Sequence, residues 1–476
     1  MQNHKVIDVL RSFSPKTAKK FLLYIQSSFT GRALKAIKLG AYLMTFYPNF
    51  DQEILTEEAA FKTLELNKAY SKQELVRYLS KLLALIEEFI AIDSLENVPY
   101  RQGFLVAEFY YETKNDSNFN RSIKQNNKLL SSSQTDSTNY FYTYLNNKLA
   151  HNYARQQRSI KQANTFLDTA VPALDNYYIL QLIQSAIAYF YNQKKKPDAT
   201  IFPLLAPVIE HLEGNKNTIS SLVLLWFLAY KLTLDPDDKP LYQELKQTLL
   251  LHIKRISSID AHNIGVVLNN TAIRQLRGNR KWYIKERFDL YQIEIQESWI
   301  IAKGIINYVA FNNIIVIALA YGKIDFSEAF LKDYKRYLLP EAYDDIVSYN
   351  EARIAFAKAD FSTSLFRVQQ VGYLDQAVAI GVKRLQAMCH LELENLEQLI
   401  HTMNSLKMYL YRLDESKASL KNTNIQFLKV LGLLSKQVNG VLDKKSKTTI
   451  QEILDERQLM PEMEWIEEKL SQGVEA

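Results

Sequence analysis

The sequence predicts an all-α fold built from helical hairpins that follow one another along the chain. Gly (13 residues) and Pro (11 residues) are scarce in 476 positions, as long helices require, because these two residues interrupt helices most. Apolar side chains recur at helical spacing over most of the chain. Near the C-terminal end, short polar turns contain Asp325, Asp360 and Asn395, each 35 positions after the one before. A fixed period of this size is typical of helix-turn-helix repeats.

Residues 1–97 are predicted to form an N-terminal helical domain. Ser14 and Pro15 supply an N-cap and a first helical residue, and an apolar stripe follows them. Thr56 is placed to cap a short helix after a polar break. Further on, Ser71 and Glu74 have the spacing of a capping box, which predicts that a long amphipathic helix begins there.

The rest of the chain divides into three predicted regions without a Gly-, Ser- or Pro-rich linker between them. Residues 98–300 form irregular hairpins, residues 301–440 form regular ones, and residues 441–476 form a C-terminal helical cap or tail. The most apolar stretch, Trp299 to Gly322, contains Lys303 and Asn307. Because such residues are costly in a hydrocarbon core, we expect a buried pair of core helices there and no membrane span.

Between Phe311 and Arg412 the chain resembles a tetratricopeptide (TPR) array, whose repeat is a pair of antiparallel helices of about 34 residues. The turns at Asp325-Phe326 and Asp360-Phe361 match the family's pattern. Small residues also stand where the helices of that family touch, at Ala329, Ala352, Ser364 and Ala387. The chain departs from the family where Ile324, Ala359 and Glu394 replace the turn glycine and where Leu399 is large.

The TPR resemblance implies a non-catalytic scaffold whose concave groove binds a protein or peptide through the first helix of each pair. In this register the groove-facing residues are Tyr321, Tyr349, Arg353, Phe356 and Arg384. Tyr and Arg often anchor partners; the alternative is that the aromatic residues pack between repeats. The opening segment LRSFSPKTAKKFLLYIQSSF is also similar to uncharacterised helical proteins of Bacteroidota, and that similarity implies no activity.

An alternative function is suggested by a cluster of cations and aromatic residues between positions 274 and 287. Cations interleaved with aromatic rings can bind phosphates while bases stack on the rings. The candidate nucleic-acid contacts are Arg274, Arg277, Arg280, Lys281 and Lys285. The competing interpretation is a solvated helical corner in which Trp282 and Tyr283 point into the core.

Motifs for catalysis, cofactors or metals are lacking in the sequence. The seven histidines are scattered, and neither a HExxH pattern nor a Gly-rich phosphate loop is present. The single cysteine, Cys389, is expected to be a buried structural thiol. We therefore predict no enzyme activity, no cofactor and no metal site.

The charge balance and the cysteine content indicate a cytoplasmic protein. Lys and Arg (58) only slightly outnumber Asp and Glu (52), so the net charge of +6 does not by itself imply nucleic acid. One cysteine is compatible with a reducing compartment. The first 20 residues lack the continuous apolar core of a secretory signal.

Overall fold

The computed structural model describes residues 4–27, 34–50, 55–64, 69–96, 98–275, 280–301, 304–372, 375–414, 418–436, 443–455 and 462–472. Within these ranges the chain forms 23 α-helices and no strand, with one isolated bridge between Thr135 and Ile256. The predicted all-α fold class is confirmed. None of the helices in the described ranges is long and apolar enough to cross a membrane.

The chain separates into two compact units, which are described in turn. The first comprises Met1–Ser133 and Thr138–Asp175, and the second comprises Gln134–Ser137 and Asn176–Ala476. The boundary thus falls inside one long helix, α9 (Ile160–Gln193). The four predicted regions, with limits at residues 97, 300 and 440, remain a prediction.

The first unit begins with five helices around a common core. Its helices are α1 (Lys5–Arg11), α2 (Pro15–Ile25), α3 (Leu34–Met44), α4 (Glu57–Lys62), α5 (Lys72–Glu96), α6 (Pro99–Glu112), α7 (Asp116–Ser132), α8 (Ser137–Gln156) and the first part of α9. Apolar residues of α1 to α5 form one buried cluster. The predicted caps are confirmed: the hydroxyl oxygens of Ser14, Thr56 and Ser71 each accept a hydrogen bond from the amide three residues later.

The second unit continues with the rest of α9 and fourteen further helices in its described residues. These are α10 (Leu205–Gly214), α11 (Ser221–Leu234), α12 (Lys239–His252), α13 (Ser258–Gln275), α14 (Arg280–Gln296), α15 (Tyr308–Ala320), α16 (Ile324–Tyr334), α17 (Pro340–Ala357), α18 (Phe361–Gln369), α19 (Gln376–Glu392), α20 (Leu396–Tyr411), α21 (Ala418–Leu434), α22 (Lys444–Asp455) and α23 (Met463–Gln472). From α10 to α22, successive helices contact one another in chain order, and α17 also contacts α15 and α19.

The segment from Trp299 to Gly322 contains one described helix, not the expected pair. Asn307 caps α15 through its side-chain oxygen, which accepts a hydrogen bond from the Val309 amide at 2.8 Å. Before it, Gly304 adopts a left-handed conformation with φ of 82°. Such a residue is incompatible with a continuing helix, so the apolar run is shared between a turn and a helix.

Five helical hairpins are closed by the same tight turn. In each, a residue with φ between 55° and 73° is followed by the residue that precedes the next helix; the left-handed residues are Lys114, Arg158, Gly322, Ala359 and Glu394. The amide of that following residue donates to the carbonyl five positions earlier, as from Asp360 to Ala355 at 3.0 Å. This closure satisfies carbonyl groups that a helix end would otherwise leave unpaired.

The position of the turn between α15 and α16 shows that the predicted repeat register was wrong by two residues for this pair. The N-cap residues of α16, α18 and α20 are Lys323, Asp360 and Asn395, so the intervals are 37 and 35 residues. Asp325 lies in the first turn of α16, and the left-handed residue before it is Gly322, not Ile324. A turn glycine is therefore present in this pair.

The corrected register also changes which small residue of α16 is expected to pack against the neighbouring helix. Ser364 is fully buried, and its hydroxyl donates to the Ala352 carbonyl at 2.8 Å. With an interval of 37, its counterpart in α16 is Ser327, which is also fully buried, whereas Ala329 is exposed. The predicted contact at Ala329 is therefore wrong, and Ser327 takes its place.

We expect Ser327→Leu to destabilise the second unit and Ala329→Leu to leave its stability nearly unchanged. Inserting a larger side chain into a packed contact costs about 1–3 kcal/mol, whereas an exposed site changes stability by about 0.5 kcal/mol or less. All four tryptophans lie in the second unit, so the urea midpoint of tryptophan fluorescence measures its stability. Equal midpoints for the two variants would contradict the corrected register.

Candidate functional site

The predicted groove residues on α17 form a pair of stacked side chains. Tyr349 is buried (2% exposed). The Arg353 guanidinium, one helical turn later, lies 4.1 Å from the centroid of the Tyr349 ring, and its Nη2 donates to the Tyr349 hydroxyl. Gly381 of α19 leaves room for that hydroxyl, because a Cβ there would lie 1.9 Å from the Tyr349 oxygen. The contact between α17 and α19 therefore depends on this glycine.

Arg384 of α19 is buried (8% exposed) and is held by three groups. Its Nη2 lies 2.8 Å from Oε1 of Glu462, and its Nη1 donates to Oδ1 of Asn424 at 3.3 Å. Its guanidinium carbon lies 5.8 Å from the centroid of the Phe427 ring. Arg384 thus contacts the residue that directly precedes α23.

Phe356 also contacts the C-terminal helix, whereas Tyr321 lies elsewhere. The Phe356 ring packs against those of Phe361 and Trp465, with centroids 5.2 and 6.1 Å away. Tyr321 is the C-cap residue of α15, and its ring packs against Phe288 at 5.3 Å. The structure therefore brings Tyr349, Arg353, Phe356 and Arg384 towards one surface. Tyr321 does not join them and packs against α14 instead.

We call the surface formed by Tyr349, Arg353, Phe356, Gly381, Arg384, Leu385, Met388 and Glu392 the α17–α19 groove. Helix α23 lies along it. Two α23 side chains converge on Glu392, where Trp465 Nε1 donates to Oε1 and Lys469 Nζ lies 2.6 Å from Oε2. Ile466 is fully buried in a cluster that includes Ala387, Met388 and Leu391. Helix α23, one part of the predicted cap or tail, is therefore an occupant of the groove.

A cavity of about 520 Å³ remains between α23 and the groove. Its lining includes Tyr349, Arg353 and Phe361 from one side and Trp465, Glu468 and Lys469 from the other. A space of this size, with aromatic walls and several charged groups, has the character of a binding site. Tyr349, Arg353 and Phe356 were predicted to face a groove, but the wall formed by α23 was not, because it forms only where distant segments meet.

The residues of the predicted nucleic-acid cluster are largely engaged with other side chains. Arg280 pairs with Glu464 of α23, and Lys285 pairs with Asp289 at 3.0 Å. Arg274 lies over the rings of Phe190 and Tyr191. Lys281 is exposed, and Arg277 lies outside the described residues.

The aromatic residues of that cluster lie towards the core. Tyr283 is buried (1% exposed), and Trp282 packs edge-on against it and against Tyr242. Base stacking needs exposed ring faces. The arrangement thus resembles the helical corner that was the competing interpretation of the cluster.

Cys389 lies in a hydrophobic core cluster of the second unit. Cys389 is fully buried, and burial raises the pKa of its thiol to about 11; the thiol donates to the Ser364 hydroxyl at 3.2 Å. A thiol with a raised pKa is a poor nucleophile at neutral pH. In the described ranges, no three His, Cys, Asp or Glu side chains are grouped as metal ligands would be.

Comparison of the chain with profiles of known protein families, with curated protein sequences and with solved structures finds no match in any of the three.

Proposed function

We propose that the second unit is a TPR-like, non-catalytic scaffold that binds a helical segment of a partner protein in the α17–α19 groove. One observation carries the proposal: a helix of the chain itself, α23, already lies in this groove. It is held by an aromatic contact at Phe356 and by ion pairs at Arg384 and Glu392. Helix-in-groove recognition uses this combination of buried apolar anchors and peripheral charges.

The repeated turn geometry supports the scaffold part of the proposal. Helices α15–α16, α17–α18 and α19–α20 are hairpins with the same closure, and their first helices contact one another in order. Stacked hairpins of this kind expose an extended surface on their first helices, which repeat proteins use for partners. A cytoplasmic location, inferred from the single cysteine, belongs to the same proposal.

The scaffold function is tested with Arg353→Glu in the groove and Lys407→Glu on the exposed face of α20. Both variants reverse one charge, and only the first alters the groove. Tagged wild-type and variant proteins are purified from the native host, and their bound proteins are compared by mass spectrometry. We expect at least one protein to be retained by wild type and Lys407→Glu and to fall about tenfold with Arg353→Glu, because reversing a charge at an interface opposes binding.

The partner is then purified and titrated against the same three proteins. Circular dichroism must show that Arg353→Glu remains folded. If a folded Arg353→Glu variant recovered every protein that the wild type recovers, in equal amounts, the groove would not be the binding surface.

A further inference from the structure

We propose that the natural ligand of the α17–α19 groove is an acidic, amphipathic helix of another protein, and that α23 occupies the groove as its intramolecular competitor. This inference rests on the proposed function, because it names the chemistry of the partner. Three features carry it: the charges of the contact, the unpaired groups beside α23 and the space beneath it.

The charge of α23 is complementary to the helices that it contacts. Residues 462–472 carry four glutamates and one lysine. Glu462 pairs with Arg384, and Glu464 pairs with Arg280. With Arg353 also lining the cavity, three arginines from α14, α17 and α19 face this helix. Glu392 opposes them with one carboxylate, which pairs with Lys469. Because three arginines face this single acid, the surface favours acidic ligands over basic ones.

These arginines keep donor atoms that α23 does not satisfy. Arg280 Nη1, Arg353 Nη1 and Arg384 Nε are each buried and have no hydrogen-bond partner among the described residues. Buried polar groups are normally paired in a finished interface, and guanidinium groups pair best with carboxylates. Beside these three cationic donors, one acceptor at the contact is also unpaired, Oε2 of Glu462. Donors therefore outnumber acceptors, so the ligand that completes this site supplies further acceptors, as an acidic side chain does.

The space beneath α23 indicates the same conclusion. The cavity beside α23 is partly open to solvent, so it can admit further side chains of a ligand. The cavity of about 520 Å³ under α23 is lined by Phe361, Leu385 and Met388 as well as Arg353. A helix with larger apolar side chains would fill this space, whereas α23 buries only Ile466 completely. Helix α23 is therefore an imperfect ligand that a better one displaces.

Competition within one chain has a quantitative consequence. A ligand tethered to its own site competes at an effective concentration on the order of 1 mM. It lowers the apparent affinity for an outside helix about tenfold or more when its own affinity is modest. Weakening α23 without altering the groove should therefore increase binding of an acidic helix.

The test uses the full-length chain and a fluorescein-labelled peptide with the sequence of residues 462–472 (EMEWIEEKLSQ). The variant Glu462→Lys/Glu464→Lys weakens α23 and leaves every groove residue unchanged. Its control is Glu467→Lys, which alters an exposed residue of the same helix. A second probe carries lysine at the positions of Glu462 and Glu464. Binding is measured by fluorescence anisotropy at low and at high salt.

We expect the double variant to bind the acidic peptide about tenfold more tightly than wild type and Glu467→Lys do. Binding should weaken at high salt and be about tenfold weaker for the lysine peptide. Preference for the lysine peptide, or no binding of the acidic one to any form, would overturn the inference.

The alternative hypothesis, in which α23 is a permanent structural cap, predicts a different result. If α23 were only a structural cap, the double variant would unfold at lower urea concentration and would not take up the peptide; that result also overturns the inference. The partner experiment with Arg353→Glu separates the two proposals. A partner that depends on Arg353, combined with failure of the acidic peptide, refutes the acidic ligand alone, whereas the absence of such a partner refutes the scaffold function.

Discussion

Replacing Gly381 by alanine is expected to lower the free energy of unfolding of the second unit by about 2 kcal/mol. The new Cβ would lie 1.9 Å from the Tyr349 hydroxyl oxygen and 3.0 Å from Cζ of that ring. Tyr349 lines the cavity, but its hydroxyl accepts a hydrogen bond from Arg353, so a shift of the ring away from the new Cβ would disturb that bond. Overpacking of about 1–3 kcal/mol then exceeds the gain of up to about 1 kcal/mol for Ala over Gly in a helix.

The matched control is Gly432→Ala in α21. The nearest atom to a Cβ there is the terminal carbon of Met403, at 3.5 Å, which is ordinary contact. This variant should be unchanged or more stable by up to about 1 kcal/mol. Urea unfolding followed by tryptophan fluorescence compares the two, because all four tryptophans belong to the second unit.

A double variant tests the cause of the Gly381 effect. Adding Tyr349→Phe removes the oxygen that the new Cβ would meet. Gly381→Ala/Tyr349→Phe should therefore be more stable than the sum of the single effects implies. Strict additivity would show that the loss arises elsewhere.

The second large effect is a pH dependence caused by Glu294. This residue of α14 is buried (5% exposed), and burial raises the pKa of its carboxyl from 4.5 to about 7. Its Oε1 accepts a hydrogen bond from Asn269 at 3.0 Å, which opposes the rise only partly. Burial dominates because an ionised carboxylate is costly in a low-dielectric interior.

The direction of the effect follows from proton binding in the two states. Between pH 4.5 and about 7 the folded protein keeps a proton on Glu294 that the unfolded chain has lost. Because the folded state binds this proton more tightly than the unfolded chain does, protonation of Glu294 stabilises the folded protein. This contribution to the free energy of unfolding is fully present below pH 4.5 and is lost as the pH rises through about 7. It amounts to roughly 3 kcal/mol in total.

Glu294→Gln removes this titration while keeping the shape of the side chain. Relative to wild type, the variant should gain about 2.5 kcal/mol between pH 5 and pH 8. Urea midpoints at four pH values measure the difference, with Glu397→Gln on the exposed side of α20 as the control. Parallel pH profiles for wild type and Glu294→Gln would refute the assignment.

The helices and their starts were predictable from the sequence because they depend on local patterns. Ser14, Thr56 and Ser71 cap their helices as expected, since a cap needs only a side chain and an amide three residues away. The register of α16 was misjudged because Asp325 also resembles a cap residue. Burial of Ser327, which no local pattern reveals, decides between the two registers.

The candidate site could be predicted only in part. Arg353, Phe356 and Arg384 were singled out by the TPR register. Occupation of the groove by α23 was not predicted, because Glu462 and Arg384 are 78 positions apart and their pairing arises only on folding. The glutamates at 462 and 464, which alternate with Met463 and Trp465, were a usable signal, as their charge complements that of the predicted groove residues.

The hairpin turns contain positions at which a substitution could increase the stability of the folded chain. Four of the five left-handed turn positions, Lys114, Arg158, Ala359 and Glu394, bear a β-carbon that this conformation penalises by roughly 1–2 kcal/mol. Glycine would relieve that penalty, although its greater freedom in the unfolded chain offsets part of the benefit. At Lys114, Arg158 and Glu394, glycine should therefore raise the thermal stability of the protein without altering the surface that faces α23, whereas Ala359 lines the cavity beside that helix.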